Sequence, residues 1–242
     1  MSGASSYHLT GAVNAPPYRS SVLGAMRGIH VYTPPGYDPK RARPYPVLYL
    51  LHGEPGDDSN WVRWGNLQAT LDRQNAVGEC EPFVVVMPDC AVPRRRSGPR
   101  GFERELVRSV LPWAESRYHV RRDSAGRALA GFSMGGFQSI AVGLSRLDKF
   151  ASTVVFSAGL RPGFASEADI ASAARDPLAV RSRLRLLYVR IGRRDFFLPD
   201  ACRFRGWLVR RHIPCIYQEV EGGHEWPVWQ GCLEDFTPRL FR

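Results

Sequence analysis

Lysine is nearly missing from this 242-residue chain, which has only Lys40 and Lys149. Its formal charge of +10 is therefore an arginine charge, spread over the whole length with one compact run, Arg94-Arg95-Arg96. Scattered arginines describe a solvated surface rather than a basic stripe that follows a phosphate backbone, so nucleic acid is not an expected partner. Long apolar runs are missing too. Nothing approaches the ~20 consecutive apolar residues of a membrane span, and no membrane partner is expected. The first residues, Met1 to Thr10, have neither a basic start nor an apolar stretch, so they do not read as an export signal. The chain reads as cytoplasmic, with a secreted protein stripped of its signal as the alternative. The five cysteines (Cys80, Cys90, Cys202, Cys215, Cys232) are odd in number and include no C-x-x-C, which argues against zinc and dithiol redox chemistry. Cys80 and Cys90 flank an expected strand that would hold them ~30 Å apart at about 3.3 Å per residue, beyond disulfide reach. Buried free thiols are expected. No cofactor and no metal is implied.

What is present is an ordinary globular composition, 44% apolar and 11% aromatic, enough for a sizeable core. Residues 1–20 lack periodicity and are expected to form a loosely attached arm; residues 21–242 then make one domain. Ile29 to Thr33 alternates like a strand. Val47 to Leu51 and Phe83 to Met87 are continuous apolar runs, the pattern of strands buried on both faces of a parallel sheet. Further strands are expected at Arg127 to Ala130, Thr153 to Ser157, Leu184 to Ile191 and Cys215 to Val220. Between them, helical spacing recurs over Leu67 to Asn75, Phe102 to Tyr118, Phe137 to Leu147, Ala201 to His212 and Val228 to Leu240. Pro112 should kink the second of these, and a short helix is expected near Ala168 to Ala174. Strands alternating with helices imply an α/β fold with a mostly parallel, doubly wound sheet and no large lid.

The stretch Gly131-Phe132-Ser133-Met134-Gly135-Gly136 stands between a strand and a helix. A serine on so tight a turn is strained, and residues without side chains are needed two positions before and after it. Ser133, Asp195 and His224 each follow the C-terminal end of an expected strand, the edge where sites assemble in open parallel sheets. A serine hydroxyl becomes a nucleophile when a neutral imidazole takes its proton, and a carboxylate fixes that imidazole's tautomer. Asp195 competes for the acid role with Asp200, Glu221 and Asp235; it is preferred because it follows strand and glycine directly. Two N–H donors for a tetrahedral oxyanion are expected from the backbone of Met134 and of Glu54. His52, at the end of the strand before that turn, is expected to brace the loop and border the substrate. Trp226 and Trp229 are expected to offer the substrate a flat aromatic surface, and Arg94, Arg95 and Arg96 to lie on the same edge of the sheet.

Several motifs fall in order along the chain: Val31-Tyr32-Thr33-Pro34-Pro35-Gly36-Tyr37, Pro46 to Gly53, Val86-Met87-Pro88-Asp89, Gly131 to Gly136, Gly192 with Asp195, and Gly223-His224-Glu225-Trp226-Pro227-Val228-Trp229. From about Val22 onward the chain resembles α/β-hydrolase esterases of the esterase D type, a group with feruloyl, acetylxylan and siderophore esterases and the mycolyl transferases. The resemblance implies Ser133 as nucleophile, Asp195 as acid, His224 as base, and Glu54 and Met134 as backbone donors. It implies hydrolysis of a hydroxycinnamoyl (feruloyl) or acetyl ester of a saccharide, so the partner is a small-molecule or saccharide ester. Glu54-Pro55, where the family more often has small or apolar residues, and the arginine-rich tract after Asp89 depart from the family pattern and bear on substrate. Competing readings are an acyltransferase of the mycolyl-transferase type, a thioesterase such as S-formylglutathione hydrolase, and a non-catalytic carbohydrate-binding protein.

Overall fold

Residues that are apolar without interruption became the strands buried on both faces. A computed structural model describes residues 10–92 and 100–242, so Arg94, Arg95 and Arg96 lie outside the described residues. The strands are β1 (Ala12–Asn14), β2 (Tyr18–Arg19), β3 (Met26–Arg27), β4 (Ile29–Thr33), β5 (Val47–Leu51), β6 (Val84–Pro88), β7 (Arg127–Phe132), β8 (Ser152–Phe156), β9 (Leu186–Gly192) and β10 (Ile216–Val220). The helices are α1 (Asn60–Arg63), α2 (Leu67–Ala76), α3 (101–117), α4 (Met134–Ser145), α5 (Ala171–Arg175), α6 (Pro177–Arg183), α7 (Leu198–Arg210) and α8 (Trp226–Phe236). Eight strands form one sheet in the order β1-β4-β6-β5-β7-β8-β9-β10. β1 and β4 are antiparallel to their neighbours, and β6 through β10 run parallel. Every residue of β5, β6, β7 and β8 is buried, whereas β10, at the edge, is only half covered.

Alternation along β5 divides the core. Leu48 and Leu50 face one layer, with Leu71 of α2 and Phe236 of α8, while Val47, Tyr49 and Leu51 face another, with Leu106 and Val110 of α3. The sheet is thus covered on both sides. The chain winds outward from β5 to β6 and then crosses back to β7, so the sheet reverses direction beside β5, where open α/β sheets form a crevice.

Helix α3 shows how Pro112 is accommodated. Leu106–Val110 is a π turn, and the following segment, Leu111–Arg117, begins with Pro112 in its first turn, where a missing N–H costs little. Glu105, just before that turn, helps to hold the segment from residue 10 that was expected to be a loose arm. β1 pairs with β4, and Tyr18 is buried with its hydroxyl donating to Oε1 of buried Glu105 at 2.7 Å. Ser20 Oγ donates to the other carboxylate oxygen at 2.6 Å. A buried carboxylate needs such donors, and they come from the segment expected to be free.

Helix α6 was not expected. Its signal is Asp176-Pro177: the Asp176 carboxylate accepts the Ala179 N–H at 2.9 Å, and proline occupies the first turn. All five cysteines are free, but Cys202 is exposed and Cys215 half-buried, since both sit on the outer side of the β9–β10 edge. Among the described residues no helix is long and apolar enough to cross a membrane.

Tyr18→Phe removes one donor from the buried Glu105 carboxylate. It should cost about 1–3 kcal/mol, read as a lower denaturant midpoint with unchanged slope, and leave turnover per folded molecule intact.

Candidate active site

The site is built on the carboxyl edge of the sheet, from the loops that follow β7, β9 and β10. Ser133 is the first residue after β7 and adopts φ 53°, ψ −119°, a conformation disfavoured for any residue with a side chain. Its N–H donates to the Phe156 carbonyl at 3.1 Å, and its own carbonyl accepts the Phe137 N–H at 3.0 Å, which starts α4. The turn closes because Gly135 has no side chain. A Cβ there would stand 2.6 Å from both the His52 carbonyl oxygen and Leu51 Cβ.

Asp195 follows β9 by three residues and is buried. Its Oδ1 accepts the Phe197 N–H at 2.9 Å, and its two oxygens lie 3.1 and 3.0 Å from Nδ1 of His224. Burial alone would raise the Asp195 pKa, but hydrogen bonds from His224, Ser157 and the Phe197 amide outweigh it and hold the carboxyl below its ordinary value. His224, in the loop after β10, thus presents Nδ1 to a carboxylate and keeps Nε2 for the cleft. Three rings hold the imidazole: Phe196 at 4.4 Å, Trp229 at 5.1 Å and Phe197 at 5.4 Å between centroids. The rival acid, Asp200, lies in the first turn of α7 and pairs with Arg203 and Arg161. Asp235 pairs with Arg239 and Arg190, and Glu221 with Arg193. The structure therefore brings Asp195 and His224 together and occupies the other carboxylates elsewhere.

Ser133 and His224 line one cleft of about 860 Å³, together with Glu54 and Met134. The Gly135 N–H donates to the His52 carbonyl at 3.1 Å, whereas the amides of Glu54 and Met134 have no acceptor among the described residues. Both are therefore available to an oxyanion, and Met134 stands at the N-terminus of α4, where the helix dipole adds to the effect.

Two expectations about the substrate surface are corrected. His52 does not border the cleft. It is buried, with Nδ1 2.8 Å from the Gly53 carbonyl and Nε2 accepting the Cys90 N–H at 2.9 Å. Asp89 also reaches Nε2, at 3.4 Å, and would favour a proton there; the closer Cys90 amide needs an acceptor and sets the neutral ring. His52 therefore braces the loop that carries Glu54. Trp226 and Trp229 do not border the cleft either. Helix α8 starts at Trp226, two residues earlier than its apolar spacing suggests, because Pro227 fits its first turn. Both indoles then turn toward the sheet: Trp229 stacks on Phe132 at 4.0 Å, and Trp226 meets Trp61 edge-on at 5.4 Å.

Phenylalanines replace them. Phe137, Phe164, Phe196 and Phe197 line the cleft, and Phe164 and Phe196 remain 52% and 64% exposed, unusual for residues of that size. The pair Phe196-Phe197 directly follows the candidate acid, a signal that was open to reading. Phe164 lay in a connection without periodicity.

Comparison with known proteins assigns the chain to a family. Residues 20–240 match the Esterase family, described as "Putative esterase". The chain belongs to this family. It has the α/β-hydrolase fold. An endo-1,4-beta-xylanase/feruloyl esterase of Xylanibacter ruminicola is 28% identical over 251 residues, covering 96% of this chain and 32% of that protein. An esterase of Mycobacterium tuberculosis is 34% identical over 156 residues, covering 61% of this chain and 33% of its own length. The chain thus spans about a third of the length of these curated relatives. Among solved structures, a ferulic acid esterase superposes with a TM-score of 0.81 at 25% identity, covering 96% of this chain and 98% of that one. An S-formylglutathione hydrolase of Staphylococcus aureus shares the fold, with a TM-score of 0.79 at 20% identity over 97% of this chain and 98% of that one.

Gly135→Ala should separate α4 from the end of β5 and displace Ser133. We expect esterase activity to fall by about 10²-fold or more, as a misplacement of ~1 Å does, with far-ultraviolet circular dichroism unchanged.

Proposed function

We propose that this esterase hydrolyses carboxylic esters through an acyl-enzyme, with Ser133 as nucleophile, His224 as general base and Asp195 as its acid. The observation that carries the reading is the pairing of His224 Nδ1 with both oxygens of buried Asp195, in the cleft that also holds Ser133. His224 Nε2 takes the Ser133 proton as Oγ attacks the ester carbonyl. The carbonyl oxygen becomes an oxyanion facing the Glu54 and Met134 amides. The imidazolium then gives its proton to the departing alkoxide, leaving an ester on Ser133. Water, deprotonated by His224, attacks that ester, and Ser133 recovers its proton as the acid product leaves.

For substrate we propose hydroxycinnamoyl, that is feruloyl, esters of saccharides, with acetyl esters as smaller alternatives. The names of the relatives support this, and so do the four phenylalanines, since a planar phenolic ring gains most from an aromatic wall. The shared fold with an S-formylglutathione hydrolase makes a thioesterase the second reading. Rates on p-nitrophenyl acetate, a methyl hydroxycinnamate and a glutathione thioester separate the two. A preference for the thioester would overturn the feruloyl assignment.

Ser133→Ala and His224→Ala should each lower kcat by about 10⁴-fold or more while the protein stays folded. Asp195→Asn should be severely impaired and Asp200→Asn much less so; the reverse order would move the acid to Asp200. Phe196→Ala should raise KM for methyl hydroxycinnamate about tenfold, the scale of one lost ring contact, and leave KM for p-nitrophenyl acetate nearly unchanged. Equal losses on both esters would assign Phe196 to holding His224 rather than substrate.

A further inference from the structure

Four neighbouring strands, β7, β8, β9 and β10, end side by side at the carboxyl edge. Three of them carry Ser133, Asp195 and His224. The remaining one, β8, ends between the nucleophile's strand and the acid's, and the first residue past its end is Ser157. Ser157 has φ 50°, so the two serines that follow adjacent strands, Ser133 and Ser157, are both in a backbone region that side chains disfavour. Such outliers persist where the surroundings hold them and cluster at functional sites.

The surroundings of Ser157 are specific. It is fully buried, and its N–H donates to the Arg190 carbonyl of β9 at 3.0 Å. Its Oγ accepts the Trp229 indole N–H at 2.9 Å. An indole nitrogen can only donate, so this bond leaves the hydroxyl proton of Ser157 to be given to something else. Past the end of the adjacent strand β9 stands the Asp195 carboxylate, which counts Ser157 among its hydrogen-bond partners. The same indole packs edge-on against the His224 ring at 5.1 Å, so Trp229 touches the imidazole with its ring and, through Ser157, its carboxylate partner.

We propose that Ser157 is a positioning residue for catalysis: Trp229 orients its hydroxyl, and the hydroxyl orients the Asp195 carboxylate that in turn orients His224. The inference rests on the reading of Asp195 as the acid. Ser157 is also one of the hydrogen-bond partners that together overcome burial and keep the Asp195 carboxyl ionised. Without that donor the carboxylate is less fixed and more basic. Turnover should fall, and the imidazolium of His224 should be held more tightly. A serine present merely to satisfy a buried indole would affect folding and leave the titration of the site alone.

Ser157→Gly is the discriminating variant, because glycine accepts φ 50° without strain and only the hydroxyl is lost. On p-nitrophenyl acetate we expect kcat to fall about tenfold, the scale of one hydrogen bond to a charged group, with KM unchanged. The acid limb of the kcat profile should move to higher pH. Trp229→Phe keeps the ring and removes the N–H; it should shift both quantities the same way and less. The double variant should be no worse than Ser157→Gly alone. Wild-type kcat and pH profile in Ser157→Gly, or in Trp229→Phe should the glycine variant not fold, would overturn the proposal. Asp195→Asn is measured beside them. If it retained normal turnover, the acid assignment would fail rather than the role of Ser157 within it.

Discussion

Everything at the carboxyl edge depends on how closely α4 approaches the end of β5. The Gly135 N–H reaches the His52 carbonyl at 3.1 Å, and no side chain fits between them. This contact places the Met134 amide and the Glu54 amide on the same side of Ser133, because His52 and Glu54 are only two residues apart. It also forces Ser133 into its strained conformation, so the hydroxyl stands clear of both strand and helix. The position of Ser133 and of the Glu54 and Met134 amides is thus set by one backbone-to-backbone approach. Buried His52 supports it from behind, its ring held between the Gly53 carbonyl and the Cys90 amide.

The second constraint is the burial of Asp195. A carboxylate out of water is costly unless donors surround it. Here the Phe197 amide of its own loop and His224 after β10 supply them, and Ser157 after β8 is the third donor we propose. The charge that orients the imidazole is therefore maintained by the sheet as a whole. A sheet edge that supplied only Asp195 and His224 would leave the carboxylate undersatisfied and its neighbour poorly aligned.

The aromatic residues divide by the direction their element takes. Helix α8 turns its indoles inward, where they fill the layer beneath the site and one of them donates to Ser157. In the loop after β9, Phe197 turns into the core while Phe196 stays at the surface of the cleft against His224. Phe196 and Phe197 both pack on the His224 ring and line the cleft, whereas Trp229 meets that ring from the core side.

Much was legible in the residues alone. The continuous apolar run of β5 specifies a buried parallel strand and the alternation of β4 an antiparallel one, and both match their expected spans to the residue. The glycines around Ser133 and the order serine, aspartate, histidine after successive strands report local backbone needs, which is why Ser133, Asp195 and His224 could be named. Direction of a side chain is another matter. Trp226 and Trp229 stand close to His224 in the chain, yet their indoles face the core because Pro227 sets the phase of α8. The segment from Gly11 to Ser20 shows no periodicity, because its order comes from pairing with β4 and from a buried carboxylate 85 or more residues away. Ser157 looked like the last residue of a strand, and only the packed sheet put its hydroxyl between an indole and a carboxylate. Local pattern determines which elements form and what each strand end offers; the relative placement of those ends, fixed by packing across the sheet, decided which groups meet.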